Sequence, residues 1–359
     1  MLATDKRIAA DELWGSSASG GEVTIGPYAE ACERWRIAVR NSPAATLYHD
    51  PRWIDALRDS YRLPILVARM ALPEGEEALC VMARPRLRFK DRLVALPFSD
   101  ACPPLAPCAP AAQALLRGLV EMPGAAALEV RGLSAPAPWR VVSTFSLWEL
   151  NVNRPLARLR QGFTVNFRRN LKKAAKNGVE FEVGDSPALI ARFFALHFNS
   201  RHHQGLPAQP HRFFRLLGER FRPARAIEIW IATRGGQDVA AVLLLQAGKR
   251  LYYKWAAREP GENLGASHLL LWHIVERAAN EFEVLDLGRA DVRNAGLSRF
   301  KSELGAAASR LPYSFAPDAP RNISSERLIG ARLVISQAWR RLPAAIARRL
   351  GGAIYGLLS

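Results

Sequence analysis

Short blocks of apolar residues, separated by polar turns, run through most of the chain. Apolar runs of about four to eight residues bounded by Gly, Pro or charged turns are typical of strands. Apolar positions three and four residues apart, after a capping Ser or Asp and a Pro, are typical of helices. The pattern predicts strands at residues 65–70, 78–83, 92–97, 127–130, 141–149, 226–233, 239–246, 251–256, 284–287 and 310–314. It predicts helices at residues 51–61, 111–121, 164–177, 187–203, 211–221, 266–280 and 297–304.

The order of these elements repeats within the chain. Residues 63–96 and 226–257 each pass through a strand, a turn, a second strand, a basic turn and a third strand, although few residues are identical. We interpret this repeat as a duplicated α/β unit. The predicted organisation is a leader at residues 1–24, a first half at 25–150, a second half at 151–318 and a basic C-terminal segment at 319–359.

The composition is that of a packed globular protein with excess positive charge. The 359 residues include 50 Lys and Arg against 33 Asp and Glu, a formal net charge of +17. Such charge points to a polyanionic partner: nucleic acid, a phosphate-rich cofactor or an anionic membrane surface. No run of about 18 apolar residues predicts a membrane span, and the N-terminus lacks the apolar core of a secretory signal. The four cysteines lack zinc-site spacing, so we expect reduced thiols, a cytoplasmic location and no metal.

Several separate segments carry a resemblance to a known family. They are FRRNLKKAAKNGVEFEV, RHHQGLP followed by QPHRFF, LYYKWAA and LDLGRADVRNAGLSRFKSELGA, with YHDPRWIDAL and RLVALPFSD earlier in the chain. With these segments the chain resembles tandem GNAT acyltransferases related to Fem-type peptidyltransferases and to acetyltransferases associated with cellulose and exopolysaccharide biosynthesis. The resemblance implies an α/β fold of two GNAT-like mixed-sheet halves in tandem, plus a basic C-terminal helical segment.

The resemblance also implies an acyl donor. The usual GNAT pyrophosphate loop, Arg/Gln-x-x-Gly-x-Gly/Ala, is absent, and its expected place reads EPGENLGASHLLLW. Gly261, Gly265 and Ser267 in this stretch could still bring backbone N–H groups at a helix N-terminus to phosphate, with Arg168 and Arg169 as further cofactor-binding cations. Acyl-CoA is therefore the expected donor. Charged tRNA, the donor of Fem-type enzymes, is the alternative, although their coiled-coil arm is not evident in this sequence.

Asp286 is the strongest candidate for catalysis. It lies at the end of a predicted strand, where alternation places Asp286 and Gly288 on one face. An ionised carboxylate there could orient or deprotonate an attacking amine or hydroxyl. Arg289 and Lys301 could keep it ionised or bind an anionic substrate. The alternative is a structural salt bridge between Asp286 and one of these two cations.

Tyr253 and Lys254 lie in another predicted strand. Alternation predicts that Tyr253 and Trp255 share one face, with Tyr252 and Lys254 on the other. In the fold that the resemblance implies, this strand lines the place where donor and acceptor meet. Tyr253 is then a candidate catalytic acid or positioning group, and Lys254 a candidate substrate-binding cation. Aromatic packing on the sheet with a snorkelling lysine is an alternative of comparable weight.

One face of the helix predicted at residues 187–203 carries Ile190, Phe193, Phe194, His197 and Arg201. His197 lies where this apolar stripe becomes polar, so it is a candidate general base at a cleft edge. A hydrogen-bonded core histidine is the more common outcome for such a position. The resemblance makes Arg201 and His202 candidate substrate-binding residues, although cations are favoured at a helix C-terminus in any case.

The stretch from Arg154 to Lys176 holds eight Lys and Arg and no acid. Helical spacing predicts that Phe167, Leu171 and Ala175 face the protein body, leaving a basic outer face. This face could attract CoA phosphates, a lipid diphosphate, tRNA or membrane lipid. A solvated basic helix is equally compatible with the pattern.

The C-terminal segment is also basic and repeats an apolar residue every four positions, at Leu342, Ile346, Leu350 and Ile354. We interpret it as an amphipathic surface that rests on anionic lipid headgroups. The alternative is a helix docked on the protein's own core.

The expected function is acyl transfer from acyl-CoA to an amine or hydroxyl of a cell-envelope or exopolysaccharide precursor at the cytoplasmic face of the membrane. A second reading is Fem-type peptidyl transfer from aminoacyl-tRNA to a lipid-linked precursor. A third is a membrane- or RNA-binding scaffold without catalysis. Salt-dependent binding to RNA or anionic liposomes, without affinity for an acyl donor, would favour the third.

Overall fold

The structure, a computed structural model, describes residues 21–85, 92–122, 127–261, 263–317 and 336–357. Residues 1–20 of the predicted leader, the predicted basic turn at 86–91 and residues 319–335 of the C-terminal segment lie outside this range. Two compact units make up the chain. Unit 1 comprises Met1–Ser143 and Pro312–Pro320, and unit 2 comprises Thr144–Leu311 and Arg321–Ser359.

Strands and helices alternate through both units. The strands are β1 (Val23–Pro27), β2 (Ile65–Ala71), β3 (Glu77–Ala83), β4 (Arg92–Val94), β5 (Ala127–Arg131), β6 (Arg140–Asn151), β7 (Glu180–Gly184), β8 (Ile227–Arg234), β9 (Gln237–Ala247), β10 (Arg250–Arg258), β11 (Val284–Asp291) and β12 (Ala307–Ala316). The helices are α1 (Tyr28–Asn41), α2 (Pro51–Tyr61), α3 (Ala109–Glu121), α4 (Leu156–Gln161), α5 (Val165–Lys176), α6 (Pro187–His203), α7 (His211–Phe221), α8 (Ala266–Glu281), α9 (Ala295–Ser302) and α10 (Ala344–Leu357).

The two units repeat one strand order. In unit 1 the order is β1-β2-β3-β4-β5 followed by the end of β12. In unit 2 it is β7-β8-β9-β10-β11-β6. In each unit the fourth and fifth strands pair in parallel, β4 with β5 and β10 with β11, whereas the other neighbours are antiparallel. This shared order confirms the duplicated α/β unit that the sequence predicts.

Helices cover both faces of the unit 2 sheet. Alternate β9 residues, Ala240, Val242 and Leu244, join an apolar cluster with α5 and α8. The intervening β9 residues point to the other face, where α6 and α7 pack. Burial of both faces explains why β9 reads as a nearly continuous apolar run.

Capping residues and glycines in the sequence predicted most helix ends correctly. Ser186 caps α6 by accepting the Leu189 N–H at 3.2 Å, and Pro187 occupies its first position. Gly178 follows α5 with a φ of +62°, as expected for a left-handed helix terminus. The pattern did not predict β1, α1, α4 or β7, and β1 begins within the predicted leader.

The strand predicted at residues 92–97 is too long. β4 ends at Val94, and Leu96 and Phe98 take positive φ angles of 46° and 62°, which a strand does not accommodate. Their conformation turns the chain into a buried loop in which Ser99 is fully inaccessible.

Candidate active site

The central feature of unit 2 is a parallel strand pair that ends early. β10 and β11 pair at Arg250–Val284, Leu251–Leu285 and Tyr252–Asp286. Beyond Asp286, a bulge shifts the register of β11 against β6 before pairing resumes at Arg289. β10 has its own register shift against β9, between Tyr253 and Trp255. Both irregularities lie just past the last parallel pair, where the edges of β10 and β11 part.

Asp286 sits at this point of separation. Its carboxylate is buried and accepts the Gly288 N–H at 2.7 Å. Gly288 adopts a φ of +72°, so the predicted strand alternation from Asp286 to Gly288 is broken by the bulge. Arg250, which also pairs with Glu149, lies 4.0 Å from the Asp286 carboxylate. Asp286 is thus a buried carboxylate held by a backbone N–H at the mouth of the strand gap.

Tyr253 is the first β10 residue beyond the last parallel pair. Its ring packs against the apolar cluster of α5 and α8. Trp255 instead contacts Phe213 and Phe214 of α7. The prediction that Tyr253 and Trp255 share a face is therefore wrong, because the bulge between them interrupts the alternation. The Tyr253 hydroxyl is buried with no hydrogen-bond partner among the described residues, and burial raises its pKa, so the phenol stays protonated.

The predicted substrate-binding cations near Asp286 are held by neighbouring groups. Lys301 of α9 is buried and donates from Nζ to the carbonyls of Gly288 and Arg289, at 2.8 and 2.9 Å. The Arg289 guanidinium lies 4.5 Å from the centre of the Phe145 ring. The Lys254 ammonium lies 5.6 Å from the Trp255 ring. Lys301 therefore fixes the carbonyls of the β11 bulge and brings positive charge to it.

A cavity of about 190 Å³ adjoins the N-terminus of α8. It is lined by Arg234, Val239, Arg258, Glu259, Pro260, Asn263, Leu264, Ala266 and Ser267. Gly265 precedes the helix with a φ of +80°, and a Cβ there would lie 2.3 Å from the Asn170 carbonyl of α5. Only glycine permits this approach. Gly261, with a φ of +121°, has open space around it. Arg234, Arg258 and Glu259 line the cavity together with the first residues of α8. The first N–H groups of an α-helix lack intrahelical partners, so a helix start favours a phosphate.

A buried polar network behind the cavity was not predicted from the sequence. The Glu303 carboxylate accepts from Asn166 Nδ2 at 2.6 Å and contacts His268 Nε2 at 3.2 Å. Asn170 accepts from Asn263 Nδ2, and Asn263 accepts the Gly265 N–H. The network ties the start of α8 to α5 and to the residue after α9. Its members lie up to 137 positions apart, so no local motif signals it.

α5 presents the basic face that the sequence predicts, with one correction. Phe167 and Ala174 are fully buried, whereas Ala175, predicted to face inward, is exposed. Compared with the predicted orientation, α5 is turned about its axis so that Asn170 is buried in the network behind the cavity. Arg168 and Arg169 are exposed, and Arg169 donates to Asn166 at 2.7 Å.

His197 lies in a different environment. It is buried between Phe193 and Phe214 and contacts Gln209 Oε1 through Nε2 at 2.7 Å. Burial lowers its pKa to about 4, so the ring is neutral near pH 7. This environment matches the alternative interpretation of a hydrogen-bonded core histidine.

The other α6 candidates contact loops and the C-terminal segment. Arg201 donates twice to the Pro207 carbonyl at 3.1 Å, and burial lowers its pKa. His202 Nε2 donates to the Leu342 carbonyl at 3.1 Å. Asp286, Tyr253, Lys254 and Arg289 therefore lie on β10 and β11 at or just past the last parallel pair, and Lys301 contacts the β11 backbone there. Ser267 lines the cavity at the start of α8, whereas His197, Arg201 and His202 are engaged elsewhere.

The C-terminal segment docks on unit 2. Ala347 of α10 is fully buried, and Tyr355 accepts from Gln209 Nε2 at 2.9 Å. The Arg348 guanidinium lies 4.8 Å from the centre of the Phe198 ring. Docking therefore corresponds to the alternative that the sequence left open, while Ile346 and Leu350 remain exposed on the outer face.

The described part of the chain has no group of three or more His, Cys, Asp or Glu side chains arranged to hold a metal ion. Among the helices described, none is long and apolar enough to cross a bilayer.

One part of unit 2 matches a known domain family. Residues 161–302 match the acetyltransferase (GNAT) domain. A UDP-N-acetylmuramoylpentapeptide-lysine N(6)-alanyltransferase from Weissella viridescens is 22% identical over 157 residues. That match covers 44% of this chain and 44% of the relative, so the chain spans less than half the length of the curated protein it resembles.

Solved structures share the fold over most of the chain. FemX superposes with a TM-score of 0.59 at 11% identity, covering 79% of this chain and 95% of FemX. The C-terminal domain of a putative lysylphosphatidylglycerol synthetase from Agrobacterium fabrum gives a TM-score of 0.55 at 14% identity, covering 86% and 96%. At such identities the likeness concerns the fold. Together with the domain match and the alanyltransferase relative, it confirms the expected GNAT-like fold and the predicted resemblance to Fem-type transferases, and it supports an acyltransferase domain.

Proposed function

We propose that the protein, whose residues 161–302 match the acetyltransferase (GNAT) domain, transfers an acyl group from acyl-CoA to an amine or hydroxyl. The observation that carries this proposal is that the β10–β11 pair ends early and that β10 then continues to Arg258, which lines the cavity at the N-terminus of α8. An extended donor with a diphosphate at one end and a thioester at the other matches these two adjacent features.

The strand gap supplies backbone partners for the donor. Past Tyr252 and Asp286, the facing edges of β10 and β11 carry N–H and C=O groups that no longer pair with each other. An amide-bearing arm such as that of CoA can hydrogen-bond to such edges as an added strand does. Arg234, Arg258 and the first N–H groups of α8 then face the diphosphate. Two ends fixed in this way hold the thioester near Asp286 and Tyr253.

In the proposed reaction the acceptor amine or hydroxyl attacks the thioester carbon. A C–N or C–O bond forms, the C–S bond breaks, and Asp286 takes the proton that the acceptor loses. The sulfur leaves as a thiolate that accepts a hydrogen bond from the Tyr253 hydroxyl, which stays protonated and has no partner among the described residues. Asp286 then releases its proton to solvent. Positioning of donor and acceptor supplies much of the rate enhancement, and a general base adds about 10²–10⁴-fold.

We propose a cell-envelope or exopolysaccharide precursor as the acceptor, met at the cytoplasmic face of the membrane. The name of the Weissella relative, which specifies alanyl transfer to a lysine of a cell-wall precursor, supports this class. The exposed Ile346 and Leu350 beside exposed Arg349 on α10 support contact with an anionic membrane surface.

Aminoacyl-tRNA is the second candidate donor, and the basic surface of α4 and α5 favours it. All eight Lys and Arg between Arg154 and Lys176 are exposed, and none forms an ion pair with a described residue. Uncompensated cations on a helical face attract a phosphate backbone and would give salt-dependent binding. α5 packs directly against the start of α8, so this surface adjoins the donor cavity.

A binding titration separates these donors. The full chain is titrated by calorimetry and thermal shift with acetyl-CoA, longer acyl-CoAs, free CoA and charged tRNA. Saturable binding of one acyl-CoA that exceeds free CoA supports the proposed donor. Arg258→Ala should weaken it about tenfold, whereas Arg212→Ala, an exposed arginine of α7, serves as the matched control.

Other results of the titration have defined meanings. Binding of charged tRNA without acyl-CoA contradicts the first proposal and assigns the second donor. No response to any donor, together with salt-dependent binding to RNA or anionic liposomes, contradicts both and favours a scaffold. Turnover is then tested with amine and hydroxyl acceptors of the envelope-precursor class.

A further inference from the structure

A second cavity in unit 2 lies next to the donor cavity. It has a volume of about 430 Å³ and is lined by Asn199, His202, His203, Gln204, Pro260 and Arg340. Pro260 also lines the donor cavity, so the two adjoin at this residue. Its volume falls in the range of small-molecule sites, about 300–1,000 Å³.

The lining of this cavity is basic and carries no acid. Its lining residues include two histidines and one arginine, together with Asn199 and Gln204. The His202–Leu342 hydrogen bond places the proton of His202 on Nε2, because a carbonyl can only accept. His203 and Arg340 are exposed and available to a ligand.

The carbonyl groups at the C-terminus of α6 carry partial negative charge, and hydrogen bonds occupy several of them. The carbonyls of Ser200, Arg201 and His202 accept backbone N–H groups from the following loop. The Gln204 carbonyl accepts from Ser336 at 3.3 Å and from Arg340 at 3.4 Å. With these carbonyls occupied, the cations determine the electrostatic character of the cavity.

The wall from the C-terminal segment is held rigidly against α6. Gly205 has a φ of +72°, and a Cβ there would lie 2.0 Å from Ser336 Oγ. A Cβ at Gly352 would lie 3.0 Å from Pro210 Cβ, and one at Gly351 would make an ordinary contact of 3.5 Å with the Ala208 carbonyl. The backbone that carries Arg340 is therefore packed closely against the loop that follows α6.

We propose that this pocket binds a phosphate or diphosphate group of a substrate in the acyl transfer, with Arg340 and His203 as its principal contacts. The inference rests on the proposed function, since it adds a second anion site beside the donor cavity. The anion belongs either to the donor, as the 3′-phosphate of CoA, or to the acceptor, as the diphosphate of a nucleotide-linked sugar. Arg340 in this role gives the docked C-terminal segment a part in substrate binding.

Calorimetric titration of the full chain with inorganic pyrophosphate tests the pocket without requiring turnover. Arg340→Ala should weaken binding about tenfold, and His203→Ala, on a different element, should weaken it severalfold. Arg341→Ala removes an adjacent exposed charge and should change the affinity less than about twofold. Unchanged melting temperatures show that the variants remain folded.

Arg258→Ala distinguishes this pocket from the donor cavity. Pyrophosphate affinity that survives Arg258→Ala and falls in Arg340→Ala supports the proposal. Loss in Arg258→Ala alone, or equal loss in Arg340→Ala and Arg341→Ala, overturns it. Because the probe is pyrophosphate, this result stands even if no acyl-CoA binds, so the two proposals fail separately.

Three ligands then identify the source of the anion. If Arg340→Ala weakens binding of CoA and not of dephospho-CoA, the group is the donor's 3′-phosphate. If it weakens binding of UDP-N-acetylglucosamine and not of CoA, the group is an acceptor diphosphate. Insensitivity of all three ligands to Arg340→Ala overturns the assignment to substrate.

Discussion

Unit 1 and unit 2 share a strand order but differ beyond their parallel strand pairs. In unit 1 the loop after β4 stays bonded to β5, since Ala95 donates to the Glu129 carbonyl and Cys102 to the Arg131 carbonyl. In unit 2 the strands part after three residue pairs, and the end of β10 lines a cavity. One duplicated scaffold therefore has a closed end and an open one.

The difference also appears at a single equivalent position. Glu129 lies opposite Val94 in the third parallel pair of unit 1, as Asp286 lies opposite Tyr252 in unit 2. Glu129 is paired with buried Arg131 at 2.7 Å. Arg131 also donates to the Leu96 and Ser99 carbonyls, so it fills the space beside the carboxylate.

Asp286 accepts the Gly288 N–H from its own bulge, and Arg250, which also pairs with Glu149, lies 4.0 Å from its carboxylate. A buried carboxylate at this strand position therefore has a structural role when, as in unit 1, a cation pairs with it and a loop covers it. Where the strands part, the same position can meet a substrate. We infer that unit 2 is the working half.

Asp286→Asn tests this inference most directly. Turnover should fall about 10²–10⁴-fold, the contribution of a general base. Folding should persist, because the amide oxygen still accepts the Gly288 N–H. The measurement is kcat together with the melting temperature. Turnover near that of the parent protein would reject the catalytic role of Asp286.

Glu129→Gln is the matched change in unit 1 and should act on stability. It leaves the buried Arg131 guanidinium without its charge partner, which costs about 3–5 kcal/mol of unfolding free energy. Urea unfolding measures the loss. Glu33→Gln, in an exposed ion pair of α1, is the control and should cost under about 1 kcal/mol. Equal losses in the two variants would contradict the closed-end interpretation.

Acid should weaken unit 2 more than unit 1. Burial lowers the pKa of His49 in unit 1 to about 4, and that of His197 in unit 2 to about 4. It also lowers the pKa of His211 and His268 in unit 2. The unfolded chain takes up protons first, so stability is complete above about pH 6.5 and is lost as the pH falls towards 4.

His49 and His197 each account for about 3 kcal/mol of the unfolding free energy that is lost. Hydrogen–deuterium exchange between pH 7 and 4.5, corrected for intrinsic rates, should show protection falling first in unit 2. His197→Gln should flatten the pH dependence there. Earlier loss of protection in unit 1 would be the contrary result.

Gly265→Ala sharpens the comparison at the open end. The new Cβ would lie 2.3 Å from the Asn170 carbonyl, so α8 must shift away from α5 at a cost of about 1–3 kcal/mol. Acyl-CoA binding should weaken with it, because the start of α8 lines the cavity. Gly261→Ala, also at positive φ but in open space, isolates the backbone contribution. Identical stability of the two variants would show that the close approach is unimportant.

The sequence predicted the elements that local chemistry controls. The Ser186–Pro187 start of α6 and the glycine after α5 follow from capping and positive φ, which need only neighbouring residues. The repeated strand order was readable because turns and apolar runs recur at the same spacing. The predictions for residues 92–97 and for the shared face of Tyr253 and Trp255 failed at left-handed residues and at a bulge, which depend on the partner strand.

The sequence by itself determined the duplicated α/β order, the excess of positive charge and Asp286 as a candidate. Only the tertiary structure decided which charges are used. It buried Glu303 against Asn166 and His268, docked α10 on α6, and left the cations of α5 exposed. Capping and periodicity act over a few residues, whereas burial and charge pairing depend on segments more than a hundred residues apart. The role of each charged side chain is therefore set by the fold.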